Sequence, residues 1–266
     1  MAPPGDVRFF ALRLPYPGEV DGTEPDYSIV IPAYNEEALL PGTLERLRAA
    51  MAEAPLRGEV VVCDNNSNDR TGEAARAAGA RVVFEPVNQI SRARNAGARA
   101  ARGRFLVFVD ADTSVPPGLL REALYALGGR ACGGGATLAM EGVSHPLALR
   151  MVAGWNALSR RFSLAAGSFL FVRREAFRAV GGFSERVYAS EEIWLSRALK
   201  RWGRAQGLDF VILDGHSLVT SGRKGRWYSP TLIFVTVLLM LLCPFLLRFR
   251  AFCWVWYRRP PAEGAS

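Results

Sequence analysis

Phe105–Asp112 reads "FLVFVDAD", and the fold turns on it. Five apolar residues in a row are the signature of a strand buried on both faces, the kind found in parallel sheets covered by helices. The run stops at two carboxylates, Asp110 and Asp112, separated by Ala111. Carboxylates at the end of a buried strand need a partner, because desolvating them unpaired is costly. Aspartate is also an ordinary turn and capping residue, so the pair alone is compatible with a turn.

On the N-terminal side the chain alternates. "YSIVIPA", "GEVVVCD", "ARVVFEP" and "RFLVFVDAD" read as strands. "ALLPGTLERLRAAM", with Pro41 near its start, "TGEAARAAG" and "ISRARNAGARAARG" read as the helices between them. This alternation predicts a mostly parallel, three-layer α/β/α sheet of Rossmann-like type with right-handed crossovers. Ligands on such sheets bind beyond the carboxyl ends of the strands. Those ends carry Ala33, Tyr34, Asn35 and Glu36, then Asp64, Asn65 and Asn66, then Asp110 and Asp112, which favours a site at one rim. The first strand is not followed by G-x-G-x-x-G, and no P-loop sequence is present. "CGGGATL" near Cys132 lacks the spacing of a phosphate loop and reads as a turn or a close-packed strand.

Two carboxylates one residue apart at a strand end suit one hard divalent cation, Mg²⁺ or Mn²⁺, that keeps open positions for substrate phosphates. "SIVIPAYNEE", "VVVCDNNSNDRT", "SRARNAGARAARG" and "FLVFVDAD", in that order, resemble the family 2 glycosyltransferases. The resemblance covers roughly residues 26 to 227. It implies the GT-A fold and inverting transfer from a nucleotide-diphosphate sugar. It places Pro32, Ala33, Tyr34 and Glu36 in the nucleotide pocket, Asp64 at the base, and Arg94 at the donor. Asp110, Ala111 and Asp112 fall at the sugar nucleotide and metal. The family often reads D-D-G/N-S where this chain reads "DNNS", so Asn65 removes a carboxylate near the nucleotide.

Further on, Ile193, Leu195, Ala198, Leu199 and Trp202 recur at helical spacing, so a helix begins near Ser190. Ser190 is a suitable N-cap, and Glu191 and Glu192 suit the positive end of the helix dipole. The resemblance adds a role, because "GGFSERVYASEE" looks like the family's G-G-F turn and acidic pair E-D, whose aspartate commonly acts as catalytic base, with a glutamate one methylene longer in the second place. Glu192 then stands at the base position, with Glu191 as its acidic neighbour. His216 is a candidate third metal ligand or diphosphate contact, although a lone histidine after a strand is more often structural. "RKGRW" resembles the R/Q-x-x-R-W sequence of membrane-bound synthases, which makes Arg223, Arg226 and Trp227 candidates for phosphate and acceptor binding.

The formal charge of +8 is local. Seven basic and no acidic residues lie between Arg223 and Arg259, leaving 26 basic and 25 acidic residues elsewhere, which argues against nucleic acid as a partner. Inside the basic region, Thr231–Leu247 is free of charge over seventeen residues, the lower limit for a bilayer-spanning helix. Arginines and aromatics crowd both of its ends, as in headgroup zones. The expectation is a C-terminal membrane segment that spans, dips in or turns at "RFR". The division is a 1–25 extension, a GT-A domain over 26–227, a membrane-associated segment over 228–259 and a tail over 260–266. Nothing in residues 1–26 reads as a signal peptide, so the catalytic domain is expected on the cytoplasmic side. Cys63, Cys132, Cys243 and Cys253 have no metal-ligand spacing and read as reduced.

The sequence therefore predicts a membrane-associated transferase of the cell-envelope glycan type. It uses a UDP-sugar first, or GDP-mannose second, and a lipid-linked or membrane-near hydroxyl acceptor. The rivals are a metal-dependent phosphoester hydrolase and a non-catalytic nucleotide-sugar-binding adaptor at the membrane.

Overall fold

The computed structural model of the chain describes residues 24–142, 144–222 and 227–257. Strands β1 (Tyr27–Ala33), β2 (Gly58–Asp64), β3 (Arg81–Phe84) and β4 (Phe105–Val109) alternate with helices α1 (Leu40–Ala52), α2 (Thr71–Ala77) and α3 (Ile90–Ala100). After β4 come β5 (Thr113–Ser114), α4 (Pro117–Gly128), β6 (Ala131–Glu141), α5 (Pro146–Phe162), β7 (Phe169–Arg173) and α6 (Arg174–Ala179). Helix α7 (Glu191–Ala205), β8 (Asp209–Ser221), α8 (Pro230–Leu242), a 3-10 turn (Pro244–Arg248) and a short α9 (Trp254–Tyr257) follow.

Period-two alternation assigns the strand residues to two cores. Ile29, Ile31 and Val107 face α1 and α4, which bury Leu40, Leu44, Leu47, Leu119, Leu120 and Leu124 against them. Val30, Leu106 and Phe108 face the opposite core, with Phe177 and Phe183 from the α6 region and Leu195 and Leu199 from α7. The expected three layers are present.

The strand order is β3-β2-β1-β4-β7-β6-β8-β5. The first four are parallel, as the alternation implied, but β7 runs antiparallel to both β4 and β6, and β5 antiparallel to β8. The sheet is therefore mixed. The glycine run in β6 is the close-packed strand. A side chain at Gly133 or Gly134 would strike the Phe171 or Val211 carbonyl, and one at Gly135 would strike Ala165.

Of the three courses open to the C-terminal segment, the described helices do not provide the span. Helix α8 has 13 residues, about 20 Å at 1.5 Å per residue, against a hydrocarbon core of about 30 Å. It stops before Pro244, whose ring cannot continue a helix. Among the described residues no helix is long and apolar enough to cross a membrane. Instead part of the segment folds back. Met240, Leu247, Cys253 and Tyr257 pack with Val187 and Ala189, and Tyr188 N–H donates to the Leu247 carbonyl at 2.7 Å.

Candidate active site

A cleft of about 300 Å³ opens at the carboxyl ends of β1 and β4. Its wall includes Pro32, Ala33, Tyr34, Glu36, Arg94 and the Asp110–Asp112 pair. The first turn of α7, Ser190, Glu191 and Glu192, closes one side, and Trp256 and Tyr257 line it from the C-terminal segment.

Local chemistry fixes the rim. Asn35 and Asn66 adopt left-handed backbone, with φ of 52° and 64°, which asparagine tolerates better than most residues. The loops after β1 and β2 are zipped together. Asn35 N–H donates to Ser67 Oγ, Asn68 N–H to Asn35 Oδ1, and Glu36 N–H to Thr71 Oγ1. Asp64 accepts from Ser67 N–H at 3.0 Å and is not among the residues lining the cleft. Asn65, which does line it, is buried and donates through Nδ2 to the carbonyls of Glu85 (3.3 Å) and Val87 (2.6 Å). An aspartate there would set a carboxylate against two carbonyl oxygens, a physical reason for the departure from the family pattern.

Helix α3 joins the two acidic groups. Arg94, 3% exposed, donates through Nη2 to Asp110 Oδ1 (2.8 Å) and the Gly167 carbonyl (2.7 Å), and through Nη1 to Glu191 Oε1 (2.5 Å). Its guanidinium lies 5.2 Å from the centre of the Phe183 ring. Burial pulls the Arg94 pKa down, but Asp110, Glu191 and Glu192 more than offset this and hold it above its ordinary value. One residue on, Asn95 pairs with both backbone groups of Phe183, at 2.9 and 3.0 Å. A Cβ at Gly182 (φ 72°) would sit 2.8 Å from Asn95 Oδ1, so the G-G-F turn needs its second glycine. Gln89 holds the next stretch by donating to the carbonyls of Glu185 and Val187.

Ser190 does not cap α7. It takes left-handed backbone at φ 61°, and its side chain makes no capping bond. This bend turns the helix start into the cleft. Glu191 is consumed by Arg94, while Glu192 is only partly buried. Desolvation, then the neighbouring Glu191 charge, push its carboxyl up to about 8, with Arg94 acting in the opposite direction.

His216 is placed elsewhere. Its Nδ1 lies 2.9 Å from Glu122 Oε1 on α4, and it is not among the cleft-lining residues. Trp227 is half-buried and also not among those residues; Arg223 and Arg226 lie outside the described residues. Among the described residues no group of three or more His, Cys, Asp or Glu side chains gathers to hold a metal. Asp110 and Asp112 still fit a Mg²⁺-type ion, which usually binds one or two carboxylates and completes its shell with water and substrate phosphates. Sequence reasoning assigned no role to Asn95 or Gln89, and took Trp256 and Tyr257 among the aromatics that crowd the end of the apolar segment.

Solved structures of GT-A enzymes share the fold of this chain. Glucosyl-3-phosphoglycerate synthase from Mycobacterium tuberculosis, solved with Mn²⁺, UDP and phosphoglyceric acid, superposes with a TM-score of 0.57 at 22% identity, over 84% of this chain and 78% of that one. The mannosyltransferase PcManGT from Pyrobaculum calidifontis, solved with GDP-Man and Mn²⁺, gives 0.55 at 22% identity, over 77% and 60%. The family model described as Glycosyl transferase family 2 matches residues 28–181, and the chain belongs to that family. Among curated relatives, validoxylamine A glucosyltransferase of Streptomyces hygroscopicus subsp. limoneus is 37% identical over 123 residues, 44% of this chain. Undecaprenyl-phosphate 4-deoxy-4-formamido-L-arabinose transferase of Pseudomonas aeruginosa is 41% identical over 98 residues, 34% of this chain. These matches span 27% and 29% of the relatives' own lengths.

Proposed function

We propose that the protein transfers a sugar, with inversion, from a nucleotide-diphosphate sugar to a hydroxyl of a lipid-linked or membrane-near acceptor. The observation that carries this reading is the Arg94 bridge, which joins Asp110 at the end of β4 to Glu191 at the start of α7 across one cleft. Pro32, Ala33, Tyr34 and Glu36 form the nucleotide wall, and Asp64 stands near the base. Asp110 and Asp112 hold a divalent cation, Mg²⁺ or Mn²⁺, which when bound supplies positive charge against the diphosphate leaving group. Arg94 acts by positioning, since both of its terminal nitrogens are already engaged.

Glu192 is the general base. Its raised pKa gives the carboxylate a high proton affinity near neutral pH, where base catalysis is most effective. The acceptor hydroxyl gives its proton to Glu192 while its oxygen bonds to the anomeric carbon. The bond from that carbon to the diphosphate oxygen breaks, and its electron pair leaves with the nucleoside diphosphate. UDP-sugar is the first donor expected and GDP-mannose the second. The complexes of the structural neighbours support either nucleotide, and the undecaprenyl-phosphate transferases support a lipid-linked acceptor.

The test is nucleoside diphosphate release from UDP- and GDP-sugars with Mn²⁺, with and without a membrane-lipid extract as acceptor. Extract-dependent release that Glu192→Gln abolishes is the expected result. Release unaffected by the extract would indicate a hydrolase, and nucleotide binding without turnover an adaptor.

A further inference from the structure

A second cavity, of about 450 Å³, lies on the other side of the α7 start, between the loop before that helix and the 3-10 turn of the C-terminal segment. Arg186 and Arg248 stand on it, with Trp194, Val187, Pro244 and Phe245 as apolar wall. Among the described residues no acidic side chain lines it. The nearest carboxylate in sequence, Glu185, is engaged elsewhere, with Arg92 (3.4 Å) and Asn95 (3.0 Å). Among the described residues neither Arg186 nor Arg248 has a carboxylate within salt-bridge distance, and Arg248 lies 5.9 Å from the Phe245 ring centre. The two walls are tied together by the Tyr188–Leu247 backbone bond.

Beside the groove the apolar residues of the segment point outward. Leu242 is 74% exposed and Phe245 58%, and Phe234, Leu238, Leu239 and Phe249 are also open to solvent. A contiguous apolar surface of this kind marks an interaction site. Charge decides its occupant. Arg186 and Arg248 both stand on the groove, so a second copy meeting this face symmetrically would bring like charges together. An anionic leaflet attracts the same residues.

We propose that this groove seats the phosphate headgroup of an anionic membrane phospholipid. Arg186 and Arg248 hold the phosphate, and Phe245, Trp194 and the open face of α8 meet the acyl region. The segment thereby lies in the interface without crossing it. The proposal rests on the membrane-near reading of the acceptor, and it places the bilayer beside the first turn of α7, which carries Glu191 and Glu192.

The test is co-sedimentation of the full chain with phosphatidylcholine vesicles, with and without phosphatidylglycerol. Wild type is expected to prefer the phosphatidylglycerol vesicles, less so at high salt. Arg186→Gln and Arg248→Gln should each weaken that binding about fivefold, as expected for a basic residue near an anionic surface, and leave phosphatidylcholine binding unchanged. The control Arg201→Gln/Arg204→Gln removes two exposed charges near the far end of α7 and should lose little. A groove variant that loses no more than this control, or equal wild-type binding to both vesicles, overturns the assignment. So does binding that requires added polyprenyl phosphate in place of phosphatidylglycerol, or self-association without vesicle binding. UDP and GDP binding is measured on the same samples. Lost nucleotide binding with vesicle binding intact counts against the donor reading alone; the reverse counts against the groove alone.

Discussion

Replacing Glu192 by glutamine keeps the shape of the α7 start and removes its titrating charge. A rise from the ordinary 4.5 to about 8 means that the folded protein holds a proton over a pH range in which the unfolded chain has released it. Between those values the native state binds more protons, so wild-type stability falls as pH rises from about 4.5 and levels off above about 8. At ~1.4 kcal/mol per pH unit the upper limit is about 5 kcal/mol. The side chain is partly exposed to the cleft, which screens it, so on the order of 1–3 kcal/mol is expected. Urea unfolding of wild type and Glu192→Gln at about pH 5 and about pH 9 isolates this contribution, since every other titrating group is shared. The variant should match wild type at the acid end and exceed it by that amount at the alkaline end, while losing about 10²–10⁴-fold in turnover. In wild type, kcat/KM should rise with pH toward about 8 as Glu192 loses its proton. A variant that is less stable at both pH values, or identical at both, would refute the placement of the charge.

Arg94→Met strands Glu191 without its partner in a buried site and should cost about 3–5 kcal/mol in urea unfolding. Adding Glu191→Gln should recover part of that loss, showing that the two residues are coupled. Asn65→Asp places a carboxylate against the Glu85 and Val87 carbonyls and should cost about 2–4 kcal/mol, read as a lower Tm that partly recovers in acid. Tyr257→Phe removes the bonds from Oη to the Tyr188 carbonyl (2.8 Å) and from Ile90 N–H to Oη (3.3 Å). It should cost about 1–2 kcal/mol by the same unfolding assay and loosen the cleft wall, raising the KM for the donor.

Local pattern explains how much of this was legible. β1 to β4 are apolar runs bounded by turn residues, and the carboxylates at their ends can be read directly from the chain. β6 is legible only as an alternative to a turn, because its three glycines carry no strand propensity; they are required by the Phe171, Val211 and Ala165 atoms that press on them. The reversed direction of β7 is likewise absent from local sequence, since parallel and antiparallel buried strands look alike. Arg94 reads, through the resemblance, as a donor contact on α3. Its partner Glu191 lies 97 positions away, and only the tertiary fold brings them together. Hydropathy left the course of the C-terminal segment open, because averaging over apolar residues does not register that Met240, Leu247 and Tyr257 turn inward onto Val187. The same averaging concealed the two cleft residues that the segment supplies.

The central claim is that the β4 aspartates form a metal-dependent donor site. Calorimetric titration of UDP and GDP into wild type and Asp110→Ala/Asp112→Ala, with and without Mn²⁺, tests it most directly. One nucleotide should bind wild type tightly only with the metal, and the double variant should lose that binding while keeping a cooperative melt. Binding of neither nucleotide under any metal condition, or equal binding by the variant, would contradict the account.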